Sequence, residues 1–300
     1  MKEEYRKQVA LLLDVLPEVA REDCFAMHGG TAINLFLRDM PRLSVDIDLT
    51  FVPLADRDSS FETINTALSA IKKRVEKVLP GVTIQHQKKE LKLQVSLWGA
   101  QIKLEVNQIN RGCLSDPVEL MLCEKAQEMF DAFVSIDIVP ESQLFGGKII
   151  AALDRQHPRD LFDVKPILQG DNLPSGIEKG LVFCLLSSKR PINELLNPRR
   201  IDQRLALEHQ FVGLSSESFT YSEFEHTRES LVRAVKNRLT QEDKDFIFGF
   251  KCLEPDWNMY DFEGFPAIQW KLENLRRFKQ LNALGYKEAV DRLDALLQNG

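Results

Sequence analysis

HGGTAINLFLRDMPRLSVDIDLTF, residues 28–51, decides how the rest of the chain is read. Within it, LSVDIDLTF (43–51) alternates, with Leu43, Val45, Ile47, Leu49 and Phe51 on one face and Ser44, Asp46, Asp48 and Thr50 on the other. Period two is the mark of a half-buried strand, because successive side chains leave opposite faces. Upstream, apolar residues 24–27 predict a short strand, Gly29-Gly30 a tight turn, and Thr31 to about Arg38 a helix. The order is strand, turn, helix, strand.

Side chains at i and i+2 share a face, so Asp46 and Asp48 point together, and two like charges so close are costly without a counter-cation. A divalent metal is the natural partner. Mg²⁺ prefers oxygen ligands, commonly takes one or two carboxylates and completes its shell with water and phosphate oxygens; Mn²⁺ is the alternative. Two-metal phosphoryl chemistry adds a third acid, and Glu105 fits, lying with Lys103 and Asn107 on the polar face of IKLEV (102–106) and its continuation. Taken alone, a D-x-D strand face or a single glutamate reads more readily as a solvated surface.

Gly29-Gly30 lets backbone approach a ligand with no Cβ between, and the helix opening at Thr31 presents free N–H groups and a positive dipole end. Phosphate binds well in such a place. Many strand-to-helix turns use glycine simply to turn, and neither GxxxxGK[ST] nor GxGxxG is present. The combination carries the weight: Gly-Gly-Thr, then Arg42 and Ser44, then D-x-D.

Working outward, residues 2–20 show helical apolar spacing at Val9, Leu12, Leu13 and Leu16, with an end predicted near Pro17. A helix is expected over about 59–78, then strands near 82–87, 91–98 and 101–109, the last two joined as a hairpin at Gly99-Ala100. From 117 onward helical patterns dominate. ESQLFGGKIIAALDR (141–155) reads as a helix despite two glycines, and Pro158 suits the first turn of the next, RDLFDVKPIL. Lys148 and Arg155, seven apart, stack on one helical face, while Arg159, Asp160 and Asp163 open the following helix. These residues fit either a triphosphate-binding set or an interhelical ion-pair network. Gly170–Pro174 is the expected linker, dividing residues 1–170 from a helical 171–300.

At 300 residues, with 44% hydrophobic and 28% charged residues, the chain has the composition of a two-domain globular protein. No apolar run reaches the roughly 20 residues that span a bilayer, and the acidic start does not resemble a signal peptide, so a cytoplasmic protein with no membrane partner is expected. Five cysteines stand singly with no CxxC spacing, which excludes a zinc knuckle or disulfide framework as the organising device. A net charge of −6 argues against general polyanion binding and leaves only local basic patches for RNA, among them Lys72-Lys73-Arg74 with Lys77 and Lys88-Lys89 with Lys92. The histidines show no H-E-x-x-H spacing and no G-x-S-x-G elbow occurs; His28, beside the glycine turn, is the one to watch.

With these residues in view, HGGTAINLFLRDMPRLSVDIDLTF resembles the first motif of the AbiEii/AbiGii-type toxin nucleotidyltransferases of bacterial abortive-infection and toxin–antitoxin systems, within the DNA polymerase β-like superfamily. GGKIIAALDRQHPRDLFDVKPIL resembles their K-x(6)-R-x(3)-[RK]-D-x-x-D element, and LTQEDKDFIFGFKCLEPDW and FPAIQWKLENL resemble later signatures. The resemblance implies an α+β (α/β) bilobed fold, with a mixed nucleotidyltransferase sheet and flanking helices in residues 1–170, a mostly helical lobe in 171–300, and an NTP between them.

It further implies transfer of NMP from an NTP to an acceptor hydroxyl, on tRNA or another RNA, with a separate antitoxin as partner. Carried over residue by residue, Gly29, Gly30, Thr31 and Ser44 would cradle phosphates, and Asp46 and Asp48, with Glu105, would hold metal. Lys148, Arg155, Arg159 and Asp160 would serve the triphosphate, and Asp163 would order the cations. Ser44 is also where a modifying antitoxin would block the phosphates. Glu105 departs from the family's aspartate. Two further readings stay open: an acceptor that is a small molecule or protein side chain, which the acidic pI of about 5.6 favours, and a non-catalytic nucleotide-binding protein, which would have lost the acids or glycines this chain keeps.

Overall fold

The computed structural model describes residues 2–298. The chain forms two compact units, one comprising the chain up to Pro140 together with Phe211–Ser218, the other Glu141–Gln210 and the chain from Phe219 onward. The first unit thus runs as far as Pro140 before the chain enters the second. Gly170–Pro174 is a loop inside the second unit, where Asp171 accepts from Arg233 at 2.7 Å and Leu173 is buried.

The first unit opens with helix α1 (Glu3–Val19), which runs two residues past Pro17. A proline there removes a single N–H, while Leu16 and Val19 stay buried and hold the last turn in place. Strand β1 (Phe25–His28) leads into one α turn, α2 (Gly29–Thr31), which continues as a π-helix over Ala32–Leu37. The helix therefore opens at Gly29, two residues earlier than its pattern predicts, and is wound wide. Strand β2 (Asp46–Phe51), helix α3 (Arg57–Val78) and strands β3 (Thr83–Gln87), β4 (Lys92–Leu97) and β5 (Ala100–Val106) follow. The β4–β5 hairpin turns through Trp98 and Gly99, both at positive φ, as the twist of a two-residue hairpin loop requires.

Two elements depart from the helical expectation beyond residue 117. Strands β6 (Val118–Met121) and β7 (Ser135–Ile138) flank helix α4 (Glu124–Phe130) and complete a seven-stranded mixed sheet in the order β3-β4-β5-β2-β1-β7-β6. Each is four residues long, too short for two full alternations to outweigh neighbouring helical signals. In this sheet β2 lies between β5, to which it is parallel, and β1, to which it is antiparallel. Ile47 and Leu49 are wholly buried on one face, which leaves Asp46 and Asp48 on the other. The segment Phe211–Ser218 clasps the approach to β2: Leu43 N–H donates to Leu214 O at 2.8 Å, and Ser215 Oγ donates to Pro41 O at 2.8 Å.

The second unit is helical: α5 (Glu141–Arg155), α6 (Pro158–Val164), α7 (Glu178–Ser187), α8 (Ile192–Leu196), α9 (Arg204–Gln210), α10 (Tyr221–Arg238), α11 (Gln241–Cys252), α12 (Pro266–Leu281) and α13 (Ala283–Gln298). Of the two glycines inside α5, Gly146 has a packing reason. A Cβ on Gly146 would collide with the Gly180 carbonyl, and one on Gly180 with the Ser142 carbonyl, so α5 and α7 touch backbone to backbone. Phe246 and Phe250 are buried in the core of this unit, Phe246 against Tyr260 and Phe262. Among the described residues no helix is long and apolar enough to cross a membrane.

Candidate active site

The strand pair β1–β2 brings the first motif together. The antiparallel register sets His28 opposite Asp48, so the glycine turn that follows His28 begins beside the carboxylate. Gly29 has φ +80°, and a Cβ built on it would lie 2.5 Å from Asp48 Oδ2. Only glycine permits both the dihedral and the approach. Gly29→Ala is expected to move the Asp48 carboxylate and to cost about 1–3 kcal/mol of stability, measurable by denaturant unfolding.

Gly30 is enclosed in the same way, since its Cβ would meet Arg42 Nη2 at 2.7 Å and Ser44 Oγ at 3.0 Å. The Thr31 hydroxyl lies 3.0 Å from Ser44 Oγ and donates to the Asp46 carbonyl at 2.5 Å, tying the first helical turn to the start of β2. Asn34 Nδ2 donates to Gly30 O at 2.9 Å, and Arg42, 2% exposed, donates to Leu43 O at 2.9 Å. Gly29, Gly30, Thr31, Ser44, Asp46 and Asp48 therefore form one constellation. Ser44 is buried, so an added phosphate would have to displace Arg42 or the glycine turn. The π-winding after Thr31 widens the backbone here, a distortion that recurs at functional sites.

Neither carboxylate side chain is sequestered: both Asp46 and Asp48 are half-buried. Lys103 Nζ approaches Asp46 Oδ1 at 3.9 Å from the parallel neighbour β5, a loose pair that a stronger cation can displace. The same register sets Glu105 beside Asp48, but its carboxylate is exposed and paired with Lys92 at 3.3 Å. Among the described residues no three acidic, histidine or cysteine side chains converge as a ready-made metal cage. Two carboxylates on one strand face beside a Cβ-free turn suit a cation of the Mg²⁺ type, whose other ligands are water and phosphate.

The second motif forms its own cluster in the helical unit. Lys148 Nζ is 3.1 Å from Asp160 Oδ1 and 3.1 Å from Asp163 Oδ2, with all three side chains buried. Arg155, which is mostly exposed, reaches Asp160 Oδ2 at 2.8 Å. Burial pushes the Asp160 carboxyl up, but the charges of Lys148 and Arg155 outweigh it and hold the group below its ordinary value. His157 caps α6 by accepting from the Arg159 N–H at 3.2 Å, while the half-buried Arg159 side chain enters no ion pair among the described residues. Of the two sequence readings, the ion-pair network is therefore present.

Sequence reasoning passed over Asn34 and gave Arg42 only a flanking role. A lone Asn in an amphipathic pattern reads as surface, and the 211–218 clasp that fixes Arg42 is remote in sequence. The cysteines offer no competing chemistry: burial, chiefly, pushes Cys24 up to about 11 and Cys113 and Cys184 up to about 12. An open cavity of about 410 Å³ lies elsewhere, along α3, lined by Glu62, Asn65, Ser69, Lys73 and Lys88.

The fold is similar to that of MenT4, a nucleotidyltransferase toxin from Mycobacterium tuberculosis H37Rv, with a TM-score of 0.56 at 13% identity over 91% of this chain and 95% of that one. At that identity the likeness speaks for the fold. No curated protein matches the chain. Residues 10–274 match the family model described as nucleotidyl transferase AbiEii toxin of type IV toxin–antitoxin systems, and the chain therefore belongs to this family of nucleotidyltransferase toxins.

Proposed function

We propose that this nucleotidyltransferase is metal-dependent and moves NMP from an NTP to an acceptor hydroxyl of tRNA or another RNA, in the cytoplasm, under the control of a separate antitoxin. The observation that carries the metal-dependent reading is the 2.5 Å that would separate a Gly29 Cβ from Asp48 Oδ2. A backbone kept bare against a carboxylate leaves room for a phosphate and its counter-cation in one place.

Asp46 and Asp48 would hold Mg²⁺ or Mn²⁺, with Glu105 as a third ligand once released from Lys92. A cation bound there would polarise the acceptor hydroxyl and neutralise charge on the departing pyrophosphate. The chain's own residues do the positioning. The Gly29-Gly30 turn offers backbone N–H groups to the phosphates, Thr31 fixes the turn to β2, and Ser44 supplies a hydroxyl beside it. Lys103, held loosely by Asp46, is placed to exchange that carboxylate for a phosphate oxygen.

From the helical unit the same reading assigns Lys148, Arg155 and Arg159 to the triphosphate, ordered by Asp160 and Asp163. In functional terms the nucleotidyltransferase domain is residues 1–170, which hold every residue given a role, and 171–300 is the helical domain.

Incubation with each labelled NTP, Mg²⁺, and either total RNA or cell extract tests the reading. Label is expected in RNA, with matching pyrophosphate release. Label in protein or small molecules would redirect the acceptor assignment, and no pyrophosphate release with any NTP would reject the activity.

A further inference from the structure

The sheet face that carries Asp46 and Asp48 continues beyond β2. The registers align Asp46, Lys103, Gln94 and Gln85 in one row across β2, β5, β4 and β3, and Asp48, Glu105, Lys92 and Gln87 in the next. Gln101, Ser96 and Thr83 form a third row. At the usual strand spacing these rows extend about 14 Å from β2 to β3. The opposite face is apolar, with Ile84, Leu93, Val95, Ile102 and Leu104 buried. Helix α3 lies on that side, where Asn65 Oδ1 is 3.0 Å from His86 Nε2. On the polar face Thr83, Gln85, Gln101, Lys103 and Glu105 are exposed, and Gln87, Lys92, Gln94 and Ser96 are half-buried.

A polar sheet face open to water is common in antiparallel sheets and says little alone. Four features of this one point to an occupant. It begins at the carboxylate pair, so anything lying on it reaches Asp46 and Asp48 without crossing another element of the sheet. Four of its nine side chains on β3–β5 are glutamine amides, which carry donors and acceptors together and match phosphates, 2′-hydroxyls and base edges alike. Among the rows of β3–β5 this face carries Lys92 and Lys103 against only Glu105, a local positive excess on a chain of net charge −6. At the hairpin tip, Trp98 is 85% exposed, a ring available to stack on a base.

We propose that this open face of β3–β4–β5 is the bed of the acceptor: a single-stranded RNA end lies across it, with its terminal hydroxyl at Asp46 and Asp48. The proposal rests on the reading that the acceptor is RNA. Lys92 and Lys103 exchange their carboxylate partners for phosphates, Gln94 and Gln85 bind the strand further out, and Trp98 stacks at the edge.

Gln85 and Gln94 lie in the two strands farthest from the carboxylates, and Gln→Glu there changes charge at nearly constant shape. Binding of labelled single-stranded oligoadenylate is measured for the full chain, for the Gln85→Glu, Gln94→Glu double variant, for Gln85→Lys, Gln94→Lys, and for Trp98→Ala. The Glu pair is expected to weaken binding by about tenfold, and the Lys pair to steepen the slope of log affinity against log salt by up to about 1.4. Trp98→Ala is expected to weaken binding several-fold, with NTP affinity and melting midpoint constant throughout. Oligoadenylate affinity unchanged in the Glu pair, or no binding by the unaltered chain, overturns the proposal and returns the face to a protein partner or to solvent. Label transfer into RNA by the unaltered chain, run in parallel, separates the failures. Transfer that persists with an indifferent face sinks the acceptor bed alone, whereas face-dependent binding without transfer sinks the assignment of RNA as acceptor.

Discussion

Asp48→Asn slows nucleotidyl transfer by about 10²-fold or more while the protein stays folded; this is the expected result of removing one pre-organised charge from the site. The substitution keeps the shape of the side chain, so the glycine turn that packs against it is undisturbed. It removes a negative charge from a pair of like charges on one strand face, which relieves repulsion in the free protein. The melting midpoint is therefore expected to hold or rise as activity falls. That opposite movement distinguishes a cation-holding carboxylate from a structural one, whose loss would lower both. A fall in transfer of less than about threefold, or a parallel loss of stability, would remove Asp48 from the chemistry.

The second large effect is on stability. Lys148→Met leaves Asp160 and Asp163 facing each other in a buried place, and breaking a buried ion cluster by removing one partner costs about 3–5 kcal/mol. Urea unfolding monitored by tryptophan fluorescence would read this as a lower midpoint. A second signature follows from Asp160, whose folded pKa lies below its ordinary 3.8. A depressed carboxyl contributes stability that is whole above the unfolded pKa and lost as pH falls through the folded one. The unaltered protein should therefore keep this contribution down to about pH 4 and lose it below. Lys148→Met should show less of that acid-dependent loss, because the larger of the two cationic influences on Asp160 is gone and only Arg155 remains. Unchanged stability in Lys148→Met would mean the cluster is not closed in solution.

Much of the site was legible because strand geometry is local. The alternation from Leu43 to Phe51 set both aspartates on one face, and the β4–β5 hairpin, expected one residue later at Gly99-Ala100, and the α5–α6 break at Pro158 followed from turn and cap chemistry. What escaped depends on contacts far apart in sequence. The strands VELM and SIDI are recognisable only through their pairing with each other and of β7 with β1. The π-winding of AINLFL has no periodic signal, because its residues look like any amphipathic turn. The clasp of Leu214 and Ser215 on Pro41–Leu43 joins positions that no window spans together. Lys148 and Arg155 were aligned correctly by helical spacing, yet that spacing could not choose between a nucleotide and Asp160 with Asp163 as their partners. In the structure Lys148 pairs with both aspartates and Arg155 with Asp160.

The account turns on Asp46 and Asp48 gripping a divalent cation beneath a triphosphate. The direct measurement is the free Mn²⁺ electron paramagnetic resonance signal as protein is added in the presence of a non-transferable NTP analogue. For the unaltered chain the signal should fall as the ion is taken up, and for the Asp46→Asn, Asp48→Asn double variant it should stay at the level set by the nucleotide alone. Equal uptake by both proteins would contradict the account.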